Sequence, residues 1–289
     1  MARTKQVSFS ELDNYRQCPF KHQLGYVERW TDPEPGRPLQ LGRLFHEVLE
    51  LHYRRLKVGT LPAGIVQEIQ ARDMLSDSST GESTDVQEDV AWMYDGYVRR
   101  YGEDKLWTIE DVEFPVGGWL RTPGGGRSSL WFKGKVDLLV RDLAMGGGLW
   151  VVDHKTSSRE MKGKDLDFED QMPLYVQALR RKGLDVRGAI YNAVRSKRLV
   201  RPMTDDERFK RIPMVFTDDQ LRTIELEAYK DLREAYRPRP GGGDAQRRPD
   251  SERCGWKCGF TEACLIGRKG GDTRAVLEDT GFVQDFTRH

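Results

Sequence analysis

The N-terminal third of the chain has hydrophobic residues at helical spacing. Ser8 and Glu11 fit a capping box, in which each side chain accepts a hydrogen bond from the other residue's backbone, at the start of a first helix. Apolar residues then recur every three or four positions, which is the period of a helix buried on one face. This spacing predicts further helices at about 41–56, 64–75 and 85–101, with a polar loop at 76–81 between the last two.

The period of the hydrophobic pattern changes to two in the middle of the chain. Residues 107–141 alternate in the way typical of strands, with a flexible Pro-Gly-Gly-Gly turn at 123–126. A second turn at 146–148 leads into 149–155, an apolar strand that ends in charged residues. Beyond it the pattern predicts a helix near 166–182, strands at 189–194 and near 212–216, and a helix at about 217–236.

The composition fits a folded protein and does not point to a particular partner. At 289 residues the chain can form one large domain or two small ones, and its 37% hydrophobic residues suffice for a core. Lys and Arg number 47 against 46 Asp and Glu, so the total charge gives no sign of a polyanion partner. Basic runs occur at 180–182, 195–198 and 208–211, but solvated helix ends and loops would explain them as well as a nucleic-acid surface.

The sequence has neither membrane-spanning nor secretory features. No segment approaches the ~18 apolar residues of a membrane helix, and the first five residues are not followed by an apolar signal segment. We therefore expect a soluble, cytoplasmic protein without a membrane partner. Four cysteines in a chain of this length do not suggest a disulfide scaffold, and a reducing compartment makes metal ligation their better use.

Charged residues at two neighbouring strand ends are the strongest chemical signal. Asp153 and Lys155 are two positions apart on a strand, so both side chains point to one side, and Asp137 on the preceding strand can meet them across a hairpin. Carboxylates are hard oxygen ligands for Mg²⁺ or Mn²⁺. A nearby ammonium can orient the attacking water or offset developing charge during phosphodiester cleavage. A surface salt bridge beside a turn would also explain the three residues.

Four motifs, in their order along the chain, resemble those of a known nuclease superfamily. Gly134–Asp137 followed by Asp153–Lys155 is similar to the signature of the PD-(D/E)XK nucleases. Gly42–His46 resembles the Gly-x-x-x-His helix of the RecB-like branch, which includes CRISPR-associated exonucleases and the nuclease domains of bacterial recombination helicases. Gln171–Tyr175 resembles the Gln-x-x-x-Tyr motif of the same branch, and the cysteine pattern is the fourth match.

This resemblance implies a fold and a metal site. The fold would be α/β, with a restriction-endonuclease-like core of a mixed central sheet flanked by helices, a helical N-terminal part and a C-terminal cysteine region. The ligands of Mg²⁺ or Mn²⁺ would be His46, Asp137, Asp153 and the backbone carbonyl of His154. Simple packing of His46 on an apolar helix face is the alternative for that residue.

The resemblance also assigns roles around the lysine. Lys155 would be the catalytic lysine, and Gln171 and Tyr175, which lie one helical turn apart, would organise it and contact DNA. Pro173 lies between the two and is best placed in a first helical turn, so Gln171 is expected close to the helix cap. Ordinary amphipathic packing would also explain Tyr175.

The cysteines form a second candidate site. Cys254, Cys258 and Cys264 are grouped near the C-terminus, and Cys18 is the only other cysteine. Four thiolates can hold zinc or an iron–sulfur cluster, and the spacing alone does not choose between them. The resemblance favours a 4Fe-4S cluster, because the RecB-like branch has one cysteine before the nuclease core and three after it. The Cys-x3-Cys spacing here departs from the Cys-x2-Cys that is frequent in that branch.

The same resemblance predicts the domain organisation and activity. Residues 1–289 would be one nuclease domain with a helical insertion at 57–105, a linker and cluster-binding segment at 238–268, and a poorly ordered tail at 269–289. The expected activity is exonuclease cleavage of single-stranded DNA or DNA ends with 5′ polarity. No phosphate-loop motif occurs, so the nuclease would either act alone or borrow a motor from a helicase or recombination partner.

Two further questions stay open at this point. DNA repair or recombination, CRISPR and phage DNA metabolism are all compatible with the sequence as biological settings. A non-catalytic DNA-binding or assembly protein with the same fold and a zinc or iron–sulfur staple is the alternative to an enzyme.

Overall fold

A computed structural model describes residues 4–32, 36–69, 84–239 and 243–287. The chain divides into two compact units, which we describe separately. The unit that contains all four cysteines, the cysteine unit, comprises Met1–Pro35, Trp119–Lys133 and Glu225–His289. The unit that contains the two candidate aspartates, the carboxylate unit, comprises Gly36–Gly118 and Gly134–Ile224. The predicted polar loop at 76–81 and the end of the helix predicted at 64–75 lie outside the described residues.

Helices and strands alternate along most of the chain. The helices are α1 Phe9–Gln17, α2 Pro19–His22, α3 Arg37–Lys57, α4 at residues 65–69, α5 Thr84–Tyr101, α6 Gln171–Arg181, α7 Asp205–Arg208, α8 Asp218–Ala235, α9 Ser251–Trp256, α10 Thr261–Arg268 and α11 Thr273–Asp279. A π-helical turn at Gln23–Val27 and a 3-10 turn at Gly163–Asp165 add to these. The strands are β1 Lys5–Ser8, β2 Trp30–Thr31, β3 Trp107–Arg121, β4 Arg127–Asp142, β5 Gly148–Ser157, β6 Val186–Arg195, β7 Phe209–Val215 and β8 Val283–Gln284.

A mixed sheet forms the centre of the carboxylate unit. Strand β5 pairs antiparallel with β4 and parallel with β6, and β6 pairs antiparallel with β7. Because parallel neighbours need a crossover connection, the chain passes through α6 between β5 and β6. Helices α3 and α5 share one hydrophobic core with the sheet, while α6 contacts β5 and β6. A mixed central sheet flanked by helices confirms the predicted α/β, restriction-endonuclease-like fold.

The cysteine unit has a smaller core of its own. Strand β1 pairs in parallel with the first part of β4, from Lys5 opposite Leu130 to Ser8 opposite Lys133. Strands β2 and β8 form a separate two-stranded antiparallel sheet. Around them lies a cluster of buried apolar side chains: Phe20, Leu24, Trp30, Ala245, Ala263 and Leu277.

Three local predictions need correction. The helix predicted near 166–182 begins only at Gln171, with Pro173 in its first turn. Glu11 donates its backbone N–H to Ser8 Oγ at 3.2 Å, as a capping box requires, but its carboxylate turns to buried His22 instead of closing the box. The segment at 269–289, expected to be a poorly ordered tail, contains helix α11, which Asp272 caps and which buries Leu277.

No helix in the described residues is long and apolar enough to cross a membrane.

Candidate functional site

The two candidate aspartates lie at the point where β4 and β5 stop pairing. Leu138 opposite Val152 is the last pair of the ladder at this end, and Asp137 and Asp153 are the next residue on each strand. Asp153 is buried, with 5% of its surface exposed. The backbone N–H of His154 donates to Asp137 Oδ2 at 2.6 Å, which fixes one oxygen of that carboxylate.

Helix α3 brings His46 to the same point. Its Nδ1 lies 3.5 Å from Asp137 Oδ1. Burial alone would lower the pKa of His46, but its contact with Asp137 raises it above the usual value. Burial alone would raise the pKa of Asp137, but the hydrogen bond from His46 and the charge of its neighbours lower it to about 2. The structure therefore brings these two predicted residues together as an ion pair.

Two glycines of the predicted motifs allow close approaches in this region. A Cβ added to Gly42 of α3 would lie 3.4 Å from Thr156 Oγ1 near the end of β5. A Cβ added to Gly134 would lie 2.5 Å from Tyr175 Cε1, closer than any real contact. The glycine at position 134 is thus required for the tyrosine ring of α6 to lie against β4.

Asp153 depends on a single ion pair inside the protein. Its buried Oδ2 lies 2.9 Å from Lys155 Nζ and, among the described residues, accepts from no other group. Burial raises the pKa of Asp153 to about 6, because the charged form loses hydration and Lys155 offsets only part of that loss. A buried carboxylate oxygen in this state favours an added cation.

Lys155 is held by a short chain of side chains from α6. Its Nζ donates to Gln171 Oε1 at 2.8 Å, and Gln171 Nε2 donates to the Tyr175 hydroxyl at 3.2 Å. Burial works to lower the pKa of Lys155, but the nearby Asp153 and Glu169 carboxylates raise it, so the amine is an ammonium ion. The predicted trio of lysine, glutamine and tyrosine is therefore assembled, with Gln171 at the first position of α6.

A buried polar network lies behind the site, and the sequence analysis missed it. The His154 side chain is buried, its Nδ1 lies 2.7 Å from Asn192 Nδ2, and its ring stacks on Tyr53. Burial lowers the pKa of His154 to about 3, so the ring is neutral. The network continues through two tyrosine hydroxyls to a buried ion pair, and its other members are Tyr97, Asp104 and Arg211.

Arg211 belongs to the basic run at 208–211, for which solvated loops and a nucleic-acid surface were equally good interpretations. Its guanidinium instead donates to both carboxylate oxygens of buried Asp104, at 2.6 and 2.8 Å. The guanidinium carbon of Arg211 also lies over the rings of Tyr101 and Trp107, at 3.7 and 3.6 Å from the ring centroids. No motif of short spacing could have revealed this pair, because its partners are 107 residues apart.

The four cysteines line a single cavity in the cysteine unit. The cavity has a volume of about 310 Å³, and all four thiols are unbridged and partly buried. Cys18 Sγ accepts a hydrogen bond from the backbone of Arg248, and Cys254 Sγ accepts one from Asp250. Burial raises the pKa of the Cys258 thiol. The lining also includes Asp250 and five basic residues: Lys21, Arg247, Arg248, Arg253 and Arg268.

As they stand, no three His, Cys, Asp or Glu side chains in the described ranges are arranged to hold a single metal ion. In the carboxylate unit His46 lies against Asp137, and Lys155 lies against Asp153. The donor set of two carboxylates and one imidazole nevertheless fits a hard divalent cation. In the cysteine unit the four thiol donors are of the type that zinc and iron–sulfur clusters both use.

Comparison with known proteins identifies the family. The sequence profile of the PD-(D/E)XK nuclease superfamily matches residues 6–265. The chain belongs to this superfamily. The matched range of the nuclease includes every candidate residue of both sites, from Cys18 to Cys264. No curated protein matches the nuclease closely enough to serve as a relative.

Solved structures agree with this assignment at the level of the fold. The nuclease is similar to the "putative exonuclease" of Eubacterium rectale, with a TM-score of 0.50 and 14% sequence identity over 87% of this chain and 93% of that chain. A second similar structure, SSO0001, has a TM-score of 0.35 and 13% identity over 86% of this chain and 93% of that chain. At such identities the likeness to the first structure supports the fold alone.

Proposed function

We propose that this nuclease is a metal-dependent deoxyribonuclease of the RecB-like branch that acts as an exonuclease on single-stranded DNA or DNA ends, with 5′ polarity. The observation that supports a catalytic role most directly is the arrangement of Lys155. Its ammonium lies 2.9 Å from an oxygen of Asp153 and donates to Gln171 at 2.8 Å, so charge and orientation are both fixed in a half-buried position. Such a preorganised cation beside carboxylates is the arrangement that phosphodiester hydrolysis requires.

The proposed ligands of Mg²⁺ or Mn²⁺ are His46, Asp137, Asp153 and the backbone carbonyl of His154. The cation, when bound, polarises the phosphodiester and lowers the pKa of a water molecule. Asp137 is held ionised by His46 and by the His154 N–H, whereas the buried oxygen of Asp153 pairs with the Lys155 ammonium. The two aspartates thus differ, since burial keeps the pKa of Asp153 raised and a bound cation would favour its ionised form.

Lys155 would act on the attacking water or on the developing charge of the phosphate, and side chains of α6 would keep the lysine in place. Gln171 accepts from the ammonium and donates to Tyr175, so the lysine has one fixed direction relative to the sheet. From this position the ammonium can orient an attacking water or stabilise the negative charge that develops on the phosphate. Tyr175 is anchored by its close approach to Gly134 and acts through Gln171.

A 4Fe-4S cluster is proposed for the cavity lined by Cys18, Cys254, Cys258 and Cys264. Two of the four sulfurs already accept backbone N–H groups, which stabilise thiolates and tune such clusters. The basic lining offsets the negative charge of a thiolate-ligated cluster. We assign the cluster a structural role, joining Cys18 near the N-terminus to the three C-terminal cysteines. Zinc is the alternative occupant, and elemental analysis distinguishes the two.

The experiment that tests the proposal is digestion of single- and double-stranded DNA labelled at either the 5′ or the 3′ end. Wild type should release mononucleotides or short products from one end when Mg²⁺ or Mn²⁺ is present, and chelation should stop the reaction. Lys155→Ala should be inactive, whereas Lys164→Ala, which changes an exposed lysine of the same unit, should cleave like wild type. Equal cleavage by Lys155→Ala and wild type would favour a non-catalytic protein with a contaminating nuclease.

A helicase or recombination partner, a cytoplasmic setting and the choice among repair, CRISPR and phage pathways stay predictions from the sequence.

A further inference from the structure

The basic run at 195–198 begins on the sheet face that holds the candidate site. Strands β5 and β6 are parallel, and their register sets Asp153 beside Tyr191, Lys155 beside Ala193, and Ser157 beside Arg195. Register partners on parallel strands point to the same side of the sheet, and residues two apart on one strand share a face. Arg195 therefore projects from the same face as Asp153 and Lys155, one strand across and two residues further along.

Interactions on either face support this orientation. The Tyr191 hydroxyl donates to Glu169, whose charge also acts on Lys155, so the odd-numbered residues of β6 share surroundings with the lysine. The even-numbered residues face the other way, since Val194 is part of the core with α3 and α5. Strand spacing puts the Cα atoms of Arg195 and Lys155 about 8 Å apart, which is within the span of a long side chain.

Arg195 has no counterion of its own. It is half-buried, and its Nε is buried without a hydrogen-bond partner. In the described part of the chain no carboxylate pairs with it, whereas the basic residues around it are paired: Arg198 with Asp89, Arg201 with Glu207, and Lys210 with Glu160. Glu160 and Glu207 line the same small pocket as Arg195, but they pair with Lys210 and Arg201. The Arg195 guanidinium is thus left able to pair with an anion from outside the chain.

The residues that follow Arg195 extend the positive charge. Residues 195–203 contain four basic side chains and no acidic one. Lys197 is exposed and, among the described residues, has no ion-pair partner. Half-buried Arg195 and exposed Lys197 are therefore two unpaired cations at the end of β6, on the strand next to that of the candidate lysine.

We propose that Arg195, assisted by Lys197, is a binding site for a backbone phosphate of the nucleic-acid substrate, adjacent to the phosphate that is cleaved. The inference rests on the proposed function, because it places this phosphate relative to the site at Asp153 and Lys155. A guanidinium binds phosphate with two parallel hydrogen bonds and is less strongly hydrated than an ammonium, which suits the half-buried position. Arg195 holds the strand in position and takes no part in bond cleavage.

The test compares Arg195→Gln with Arg187→Gln, a control on the same strand whose exposed arginine pairs with Asp185. Both changes are made in the Lys155→Ala background, so that a fluorescent single-stranded oligonucleotide stays intact while its binding is measured over a range of KCl concentrations.

Arg195→Gln should weaken binding about tenfold or more. It should also reduce the slope of log affinity against log salt concentration by about 1. Arg187→Gln should leave both quantities unchanged, and Arg195→Lys should restore the slope with part of the affinity.

Kinetics with an active Lys155 separate this inference from the proposed function. Arg195→Gln should raise KM for DNA more than it lowers kcat, with a melting temperature equal to that of Arg187→Gln. Affinity and salt slope that match the control, or a loss confined to kcat, would overturn the phosphate site. If wild type cleaves no DNA while Arg195→Gln still weakens binding and reduces the slope, the proposed function fails and the phosphate site stands.

Discussion

The backbone N–H of His154 donates to Asp137 Oδ2 at 2.6 Å, so that one strand of the site orients the carboxylate of the next. Asp137 lies directly beyond the last pair of the β4–β5 ladder, where a strand would otherwise be free to separate. The bond also helps to keep the pKa of Asp137 low at about 2. One aspartate of the pair is therefore ionised and fixed before any cation arrives.

Asp153, the second aspartate, differs from Asp137 because its pKa is raised, and Asp153→Asn should reveal this difference. Burial raises the folded-state pKa of Asp153 to about 6, above the ordinary value of 3.8. Because the folded-state pKa is raised, protonation of Asp153 favours the folded state. This contribution to stability is complete below about pH 3.8 and is lost as the pH rises through about 6. Because Asp153 also pairs with Lys155, the comparison is made in a Lys155→Ala background. There, without divalent cations, Asp153→Asn should melt several degrees above its parent at about pH 8 and close to its parent at about pH 4.

The same substitution should abolish DNA cleavage, and added Mn²⁺ should stabilise wild type but not the variant. Thermal melting at the two pH values, with and without Mn²⁺, is the measurement. If Asp153→Asn is less stable than its Lys155→Ala parent at the higher pH without metal, burial does not destabilise the charged form of Asp153.

Gly134→Ala should displace the tyrosine that supports the catalytic lysine. The new Cβ would lie 2.5 Å from the Tyr175 ring, so the ring or β4 has to move and the bond from Gln171 is lost. We expect a fall in kcat of roughly tenfold to a hundredfold, since misplacement by about 1 Å can have an effect of that size. Gly118→Ala is the control, because no atom lies within 4 Å of its added Cβ. Equal rates for the two variants would show that the approach of Tyr175 to β4 is unimportant.

Much of the candidate site was predictable because its signals are local. Asp153 and Lys155 follow an apolar strand, and Gln171 and Tyr175 are one helical turn apart, so short-range periodicity locates each pair. The resemblance to PD-(D/E)XK nucleases then related the pairs to one another and to His46. Strand β1 escaped prediction because four residues with only Val7 fully buried carry no periodic signal.

Long-range polar contacts could not be predicted in this way. Arg211 and Glu11 were interpreted from their neighbours in sequence, as part of a solvated basic run and as part of a cap. In the folded chain Arg211 binds Asp104, and the carboxylate of Glu11 meets His22 and the Tyr236 hydroxyl. Partners of this kind are defined only by the fold, and a charged residue looks alike in the sequence whether it is solvated or buried with a counterion.

The cysteine cavity gives a prediction that separates cluster from zinc. Anaerobically purified wild type should contain about four iron atoms and four sulfides per chain and absorb broadly in visible light, if the four cysteines hold one 4Fe-4S cluster. Cys258→Ser should lose most of that absorbance and melt at a lower temperature, because one of four ligands is gone and the helices around the cavity are no longer joined. Colourless wild type with one zinc per chain would contradict the cluster and support a zinc staple.

The last prediction concerns the buried ion pair behind His154. Arg211→Met removes the ion-pair partner of Asp104, whose side chain is 4% exposed, and leaves this buried carboxylate with the hydrogen bond from the Tyr53 hydroxyl. Breaking a buried pair from one side destabilises a protein by about 3–5 kcal/mol. The pair at Arg100 and Asp206 is exposed, so Arg100→Met should change the free energy of unfolding by only about 0–1 kcal/mol. Urea titration of both variants measures the difference.

Because Tyr53 stacks on His154 and Asn192 bonds to its ring, Arg211→Met should also reduce cleavage under conditions where the protein remains folded, whereas Arg100→Met should not. If the two variants unfold at the same urea concentration, the network does not support the strand that bears the candidate metal ligands.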